Sequence, residues 1–315
     1  MGESLGGGIS NRVIRVTWDG GCLVAKQPLP RLRVEADWAF SLDRAEVEER
    51  CMRYLGHILP PGSVPKVLYS DRTDHVFAMT CAPGGGEVWK DALLRGEIDE
   101  STAVRAGSLL ALLHCRAADD PQAREYFDDQ AVLVQGRIDP YHRTASTRHP
   151  ALAQAIDEEV ARLLATRESL VLGDYSPKNV IVYADRLLIL DFEVAHWGDP
   201  AFDTAFCLTH LVLKACRLPK LADAYLAVAA AFWNAYWEAG GSRFDAVERH
   251  TVTELGCLLL ARIDGKSAIE YISDESRKGL VRALAVEFLA AGSPTSISDA
   301  LTIAEGRIAG IGAAS

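Results

Sequence analysis

The sequence predicts a two-lobed α+β fold, in which a small antiparallel sheet precedes a larger, mostly helical lobe. The first 81 residues contain short alternating apolar runs separated by turn residues, which is typical of antiparallel strands. From residue 87 onward the apolar positions follow helical spacing, interrupted by a hairpin pattern between residues 180 and 190. We therefore assign residues 1–81 to the first lobe and residues 82–315 to the second.

Composition limits the classes of function. Of the 315 residues, 49% are hydrophobic and 24% charged, as in globular enzymes, and the net charge of -10 argues against nucleic acid or an anionic membrane as partner. Seven scattered cysteines without a C-x-x-C pair predict reduced core thiols. The N-terminus lacks a basic segment followed by an apolar run, so we expect no signal peptide and a cytoplasmic protein.

The first lobe begins with a glycine-rich loop followed by two predicted strands, Val13–Thr17 and Cys22–Lys26. Bare backbone N–H groups in such a loop can approach phosphate oxygens, although a flexible tail would also be glycine-rich. Lys26, at the end of the second strand, can reach phosphates as a point charge. The predicted phosphate-binding residues of the loop are Gly7, Gly8, Ser10 and Asn11.

A helix with N-cap Ser41 is predicted over Ala45–Leu55. Glu48 lies in its middle, and we expect it to form an ion pair with Lys26. A shifted register would select Glu46 or Glu49, and a solvated helix face would leave Glu48 unpaired. Two further strands, at residues 64–69 and 75–79, complete a sheet of about five strands.

Four predicted helices dominate the second lobe: Ala103–His114, Ala151–Thr166, Phe206–Lys214 and Leu221–Ala239. The last two are expected to form walls of a substrate site. The segment Phe127–His149 is expected to cover the cleft, and no chemistry is predicted for it. A charged turn follows at Arg262, Asp264 and Lys266, which fits either a substrate contact or a solvated turn.

Three oxygen-bearing side chains follow short predicted strands between residues 170 and 191. Asp174 and Asn179 are separated by four residues, and Asp191 ends a hairpin formed by residues 180–183 and 187–190. Phosphoryl transfer requires a carboxylate that accepts the proton of the attacking hydroxyl, and oxygen ligands for the Mg²⁺ that neutralises phosphates. Ordinary turn chemistry would explain each residue alone, but their order and spacing favour Asp174 as catalytic base and Asn179 and Asp191 as Mg²⁺ ligands.

At these residues the sequence resembles a known family. The segments GDYSPKN and LDFEVAHWGDPAFD are similar to motifs of the aminoglycoside phosphotransferase and choline kinase family, which has a protein-kinase-like fold. The resemblance implies the same roles for Asp174, Asn179 and Asp191, and makes Asp203 a buried carboxylate that braces the catalytic loop. Leu172 stands where the family usually has histidine, which affects loop geometry rather than chemistry.

The same resemblance makes residues 80–86 the connection between lobes. Backbone groups near Thr80 and Ala82 are then expected to bind adenine, and the choice between ATP and GTP stays open because many members have glutamate at the position of Thr80. The insert KQPLPRLRVEADWAFSLDRAEVE resembles that of methylthioribose kinases. Those kinases differ at the positions of Ser176, Pro177 and Asn179, so the insert indicates a branch of the family rather than a substrate.

The predicted function is transfer of the γ-phosphoryl group of ATP or GTP, with Mg²⁺, to a hydroxyl of a sugar, aminosugar or related alcohol. An inactive nucleotide-binding scaffold would keep the fold but lack a catalytic group, and Lys26, Asp174, Asn179 and Asp191 are all present. A metal-dependent hydrolase is disfavoured because its sites usually recruit histidines. A protein kinase is disfavoured because no A-P-E motif follows Asp191.

Overall fold

A computed structural model describes residues 1–6, 8–34 and 38–312 of the chain. It begins with a five-stranded antiparallel sheet of order β1-β2-β3-β5-β4, and one helix, α1, packs against β3, β4 and β5. The predicted α+β architecture is confirmed, whereas the lobe boundary at residue 81 stays a prediction. The elements are β1 (Gly2–Ser4), β2 (Asn11–Trp18), β3 (Gly21–Pro28), α1 (Arg44–Ile58), β4 (Val67–Asp71) and β5 (Val76–Thr80).

Strand β1 pairs with β2 at the edge of this sheet and precedes the glycine-rich loop. No strand was predicted for that segment. The predicted helix cap is wrong as well. Asp43 rather than Ser41 precedes the first helical residue, and its side chain makes no cap bond. The Ser41 hydroxyl donates to the Asp43 carboxylate and accepts the Asp43 N–H, both before the helix begins.

The remainder of the chain is mostly helical. Its helices are α2 (Trp89–Arg95), α3 (Glu100–Ala118), α4 (Pro121–Phe127), α5 (Ala131–Leu133), the π-helical Val134–Arg143, α6 (Thr144–Arg148), α7 (Ala153–Ala165), α8 (Ala201–Arg217), α9 (Ala222–Glu238), α10 (Val247–Asp264), α11 (Glu275–Leu289) and α12 (Ile297–Gly312). Single 3₁₀ turns occur at Pro150–Leu152, Pro177–Asn179, Pro219–Leu221 and Gly241–Arg243. Helix α8 forms the centre, since residues 201–216 are all buried between α9 and α10.

Two small sheets lie among these helices, and the loops that join their strands carry the predicted site residues. One is the pair β7 (Ser169–Val171) and β10 (His196–Gly198), and the other has the order β6-β8-β9, formed by β6 (Glu87–Val88), β8 (Val180–Val182) and β9 (Leu187–Ile189). The predicted hairpin is confirmed as β8 and β9. None of the helices in the described ranges is both long and apolar enough to cross a bilayer.

The first and second halves of the sheet are joined by a disulfide, so the prediction that every cysteine is reduced is wrong. The register pairs Leu23 of β3 with Thr80 of β5, which brings the adjoining Cys22 and Cys81 opposite each other. Their Cα atoms are 6.0 Å apart, within the range of a disulfide. Cys51, Cys115, Cys207, Cys216 and Cys257 are free.

Candidate active site

The backbone of the loop after β7 is hydrogen-bonded to a buried carboxylate, that of Asp203. Asp203, in the first turn of α8, accepts hydrogen bonds from the backbone N–H groups of Leu172 and Gly173, at 2.6 and 2.8 Å. Gly173 has φ +71°, and a Cβ there would lie 2.8 Å from Val194. The expected bracing role of Asp203 is therefore confirmed by its contacts, and Leu172 takes part through its backbone alone.

Asp174 lies at the end of this loop with its carboxylate between two cations. The Arg137 guanidinium lies 3.2 Å and the Lys178 ammonium 2.8 Å from Oδ2, and Arg137 also donates to the Gly173 carbonyl at 2.6 Å. Neither cation was predicted from the sequence. Lys178 stands four residues after Asp174, a spacing that would have identified it. Arg137 gave no signal, because it comes from the π-helical segment for which no chemistry was predicted.

Asn179 and Asp191 lie next to Asp174, at the two ends of the hairpin. The Asn179 amide nitrogen donates to the Asp174 carbonyl at 3.0 Å, which leaves its oxygen as the atom that can face a cation. Asp191 has φ +70°, a conformation that costs a residue with a side chain free energy and is often retained at functional sites.

Lys26 joins the sheet to this loop. Its ammonium is buried and lies 2.7 Å from the Glu48 carboxylate and 2.6 Å from that of Asp191. The predicted Lys26–Glu48 pair is therefore present, and Glu46 and Glu49 bind arginines elsewhere. Burial raises the pKa of Asp191, but the charges of Lys26, Lys178 and Arg137 together outweigh that effect and hold the pKa at about 2. Burial raises the pKa of Glu48 to about 7, and the nearby carboxylates of Asp191 and Glu193 add to the rise while Lys26 opposes it.

Glu193 is a third carboxylate of this group, and it was not predicted although it lies two residues after Asp191. Oxygens of Glu48, Asp191 and Glu193 lie within 4.8 Å of one another. Together with the Asn179 amide they form a donor set of oxygens alone, which fits Mg²⁺ better than zinc or another metal that prefers nitrogen and sulfur ligands.

The end of the glycine-rich loop is tied to Glu193. The Asn11 amide donates to Glu193 at 2.9 Å and to the Ser10 hydroxyl at 2.8 Å, and both residues are buried at the cleft. The Asn11 amide nitrogen is thus engaged within the protein, whereas the Ser10 hydroxyl accepts one hydrogen bond and keeps its O–H as a donor. Gly8 is exposed and lines the same cleft, whereas Gly7 lies outside the described residues.

The same network contains Arg44, a fully buried residue at the start of α1. Its guanidinium lies 3.1 Å from Glu193 and donates to four backbone carbonyls, at 2.7 to 2.8 Å. The carbonyls belong to Ser10, Leu29, Phe40 and Ser41. Arg44 therefore connects the glycine-rich loop, the insert and the Asp191 loop.

The predicted adenine contacts lie next to the disulfide. The Thr80 N–H already donates to the Lys66 carbonyl at 2.9 Å, which makes it unavailable to a base. Neither Thr80 nor Ala82 lines the main cleft, although the neighbouring Met79 does. The adenine contact of Ala82 stays a prediction.

One cleft of about 720 Å³ joins these groups. Its walls continue beyond Asp174 to His210 and Lys214 of α8, as predicted, but α9 packs behind α3 and α8 instead. Arg262 and Lys266 also line it, whereas Asp264 pairs with Arg282 and His149 away from it. Trp38 of the insert reaches across to donate to the Gln135 carbonyl at 2.9 Å.

The family follows from the comparison with known proteins. The model of the phosphotransferase enzyme family (APH) matches residues 2–241, so the chain belongs to that family. The chain is similar to a methylthioribose kinase of Pectobacterium atrosepticum, with 26% identity over 248 residues. That match covers 70% of this chain and 61% of the relative, so the chain spans less than two thirds of the curated relative's length.

Solved structures show the same protein-kinase-like fold. A macrolide 2′-phosphotransferase from Brachybacterium faecium has 21% identity and a TM-score of 0.52, covering 90% of each chain. An amicoumacin kinase, solved with AMP-PNP, Ca²⁺ and its ligand, has 15% identity and a TM-score of 0.59, covering 95% of this chain and 91% of the other. These likenesses establish the fold.

Proposed function

We propose that this protein is an ATP-dependent kinase that phosphorylates a hydroxyl of a small polar molecule. The observation that carries the proposal is the convergence of Lys26, Asp174, Asn179 and Asp191 on one cleft. Lys26 comes from the sheet and the other three from the loops of the helical part, and they meet where a triphosphate needs both a cation and metal-binding oxygens. Membership of the phosphotransferase family supports the same conclusion.

Each residue then has a defined task in the transfer. Asp174, oriented by Arg137 and Lys178, accepts the proton of the acceptor hydroxyl. The hydroxyl oxygen forms a bond to the γ-phosphorus while the bond to the β–γ bridging oxygen breaks, and the nucleoside diphosphate leaves with that electron pair. Asn179 and Asp191 would hold Mg²⁺, with Glu193 beside them, and the ion would supply neutralisation of the phosphate charge.

Lys26 is placed to bind the phosphates, and the backbone of the glycine-rich loop to cover them. We propose ATP as the usual donor and leave GTP as the alternative to be compared with it. A cytoplasmic location is part of the proposal, because the donor nucleotide is available there.

Nothing in the described residues favours the inactive scaffold, since Lys26, Asp174, Asn179 and Asp191 all line one cleft. The relatives named above act on a methylthioribose, a macrolide and amicoumacin according to their names, and these molecules share little except hydroxyl groups. Their range supports a hydroxylated small molecule as acceptor.

The test is Asp174→Asn, which keeps the shape of the side chain and removes the proton acceptor. We expect it to lose phosphoryl transfer, measured as acceptor-dependent ADP release, while binding Mg²⁺ and AMP-PNP as the wild type does. Asp185→Asn is the matched control, because Asp185 is exposed in the turn of the same hairpin. Retained transfer by Asp174→Asn, or a wild-type protein that binds no nucleotide, would contradict the proposal.

A further inference from the structure

The end of the cleft beyond Asp174 is lined by basic side chains. Lys90 of α2, His210 and Lys214 of α8, and Arg262 and Lys266 around the end of α10 all line it. Tyr271 lies among them, with the Lys214 ammonium 5.4 Å and the Lys90 ammonium 5.8 Å from the centre of its ring. We call the four residues Lys90, His210, Lys214 and Arg262 the basic end of the cleft.

Lys214 is a buried cation without an anionic partner. Its ammonium donates to the His210 carbonyl at 3.0 Å, and within the described ranges no carboxylate lies at ion-pairing distance from it. Burial lowers the pKa of Lys214 to about 7, and the nearby charges of Lys90 and Arg262 contribute to the shift. A buried, unpaired ammonium costs several kcal/mol, which an anion beside it would offset.

His210 and Arg262 have the same deficit. The imidazole Nε2 of His210 is buried and has no hydrogen-bond partner, while its Nδ1 contacts the Tyr271 hydroxyl at 3.4 Å. The Nε of Arg262 is also buried and unpartnered, although its Nη1 bonds to Ser267 and Tyr141. Buried polar groups are usually satisfied, so the Nε–H of Arg262 indicates a missing acceptor. The Nε2 of His210 donates to the same acceptor in the tautomer whose Nδ1 accepts from the Tyr271 hydroxyl.

Among the residues that the structure describes, no carboxylate forms an ion pair with Lys214, His210 or Arg262. Glu270 and Asp91 line the cleft as well, but both are exposed, and Glu270 lies 2.6 Å from Lys90. Asp174 is already held by Arg137 and Lys178. Burial lowers the pKa of His210, and the charges of Arg262, Lys214, Lys178 and Lys90 lower it further.

We propose that the acceptor carries an anionic oxygen group, a carboxylate or a phosphate, which binds Lys214, His210 and Arg262 while a hydroxyl of the same molecule reaches Asp174. This inference rests on the proposed function and narrows its acceptor to hydroxy acids and sugar phosphates. An aminosugar would place its ammonium against like charges, which is unfavourable.

The test is calorimetric titration of the Mg²⁺–AMP-PNP complex with four probes of the same ring or chain length: gluconate, glucose 6-phosphate, glucose and glucosamine. We expect gluconate or glucose 6-phosphate to bind at least about tenfold more tightly than glucose and glucosamine, and the stronger of the two identifies carboxylate or phosphate. Failure of both anions to bind, or equal binding of the neutral or cationic probe, overturns the inference.

Variants distinguish binding of the anion at the basic end from a general effect of the positive charge of the protein. Lys214→Met is expected to lose at least about tenfold in affinity for the anion and to leave that for glucose unchanged, with Arg262→Gln as a second variant should the first fail to fold. Lys220→Met removes an exposed lysine just after α8 and should change neither affinity. Equal losses for anion and glucose would overturn the inference.

The titrations are repeated without nucleotide. If the protein binds the anion but does not bind AMP-PNP, the result contradicts the proposed kinase function and supports the anion site. If the protein binds AMP-PNP but shows no preference for the anion, the result contradicts the anion site and leaves the kinase function supported.

Discussion

The two ends of the cleft treat buried charge in opposite ways. At the phosphate end, Lys26 lies between Glu48 and Asp191, and Arg44 binds Glu193. At the basic end, Lys214 has a backbone carbonyl as its hydrogen-bond acceptor, and buried nitrogens of His210 and Arg262 have no acceptor. The phosphate end is completed by the protein itself, whereas the basic end requires an anion from outside.

The difference has an energetic meaning. Removing one partner of a buried ion pair leaves the other charge buried without compensation, which destabilises the fold. Removing a buried charge that has no partner removes only the desolvation free energy that this charge costs. Arg44, Lys26 and Lys214 are all buried cations at one cleft, so they permit a direct comparison.

The largest effect is expected for Arg44→Met. The substitution keeps much of the side-chain volume but leaves the Glu193 carboxylate and four backbone carbonyls without their hydrogen-bond donor. We therefore expect a loss of about 3–5 kcal/mol in the free energy of unfolding. Urea denaturation followed by circular dichroism measures it. Arg53→Met is the control on the same helix, because Arg53 is about half exposed and its pair with Glu49 is worth at most about 1 kcal/mol. Similar losses in both variants would mean that Arg44 does not connect the loops.

Lys26→Met tests the phosphate end by activity. Removing the cation that faces the phosphates should lower kcat/KM by roughly 100- to 1000-fold, in the range found when one preorganised charge-stabilising donor is lost. The assay is ADP release with the best acceptor of the probe panel. Arg12→Met, on the neighbouring strand and exposed, is the control. A Lys26→Met protein that keeps full activity would exclude Lys26 from phosphate binding.

The smallest effect, and of opposite sign, is expected for Lys214→Met. Without ligand we expect this variant to be as stable as the wild type or more stable, by about 1–3 kcal/mol at pH 7. The pKa of Lys214 is about 7 in the fold and near 10.5 when unfolded, so the unfolded chain binds more protons and wild-type stability rises between pH 7 and 10.5. The advantage of the variant should therefore shrink over that interval.

Urea denaturation at pH 7, 8.5 and 10 checks this prediction. Lys220→Met serves again as the exposed control, with no pH-dependent difference expected. A marked destabilisation by Lys214→Met at pH 7 would mean that the basic end, like the phosphate end, is completed by the protein.

Much of the fold was predictable because its signals are local. The alternation in β2 and β3 and the hairpin of β8 and β9 depend on neighbours in sequence, and each predicted strand lies within a residue or three of its observed bounds. The ion pair of Lys26 with Glu48 was predictable too, because Glu48 matches the helix glutamate of the family that the sequence resembles and Lys26 needs an anionic partner.

The errors share a cause, which is that they depend on registers and distances between remote segments. The Cys22–Cys81 disulfide needs the alignment of β3 with β5, across 59 residues of sequence. The contact of Arg137 with Asp174 needs the π-helical segment to pack under the catalytic loop. The Ser41 cap is the exception, because it failed locally: the helix begins at Arg44, and the Ser41 hydroxyl bonds only to the side chain and N–H of Asp43.

The sequence alone determined the α+β plan and placed Asp174, Asn179 and Asp191 in order along one short stretch, because spacing within a stretch survives any packing. Only the tertiary structure decided that Glu193 and Arg44 join the phosphate end and that cations from α2, α8 and α10 meet at the other. These residues are far apart in sequence, and their separation in space is set by how helices pack around the buried α8, which no local pattern encodes.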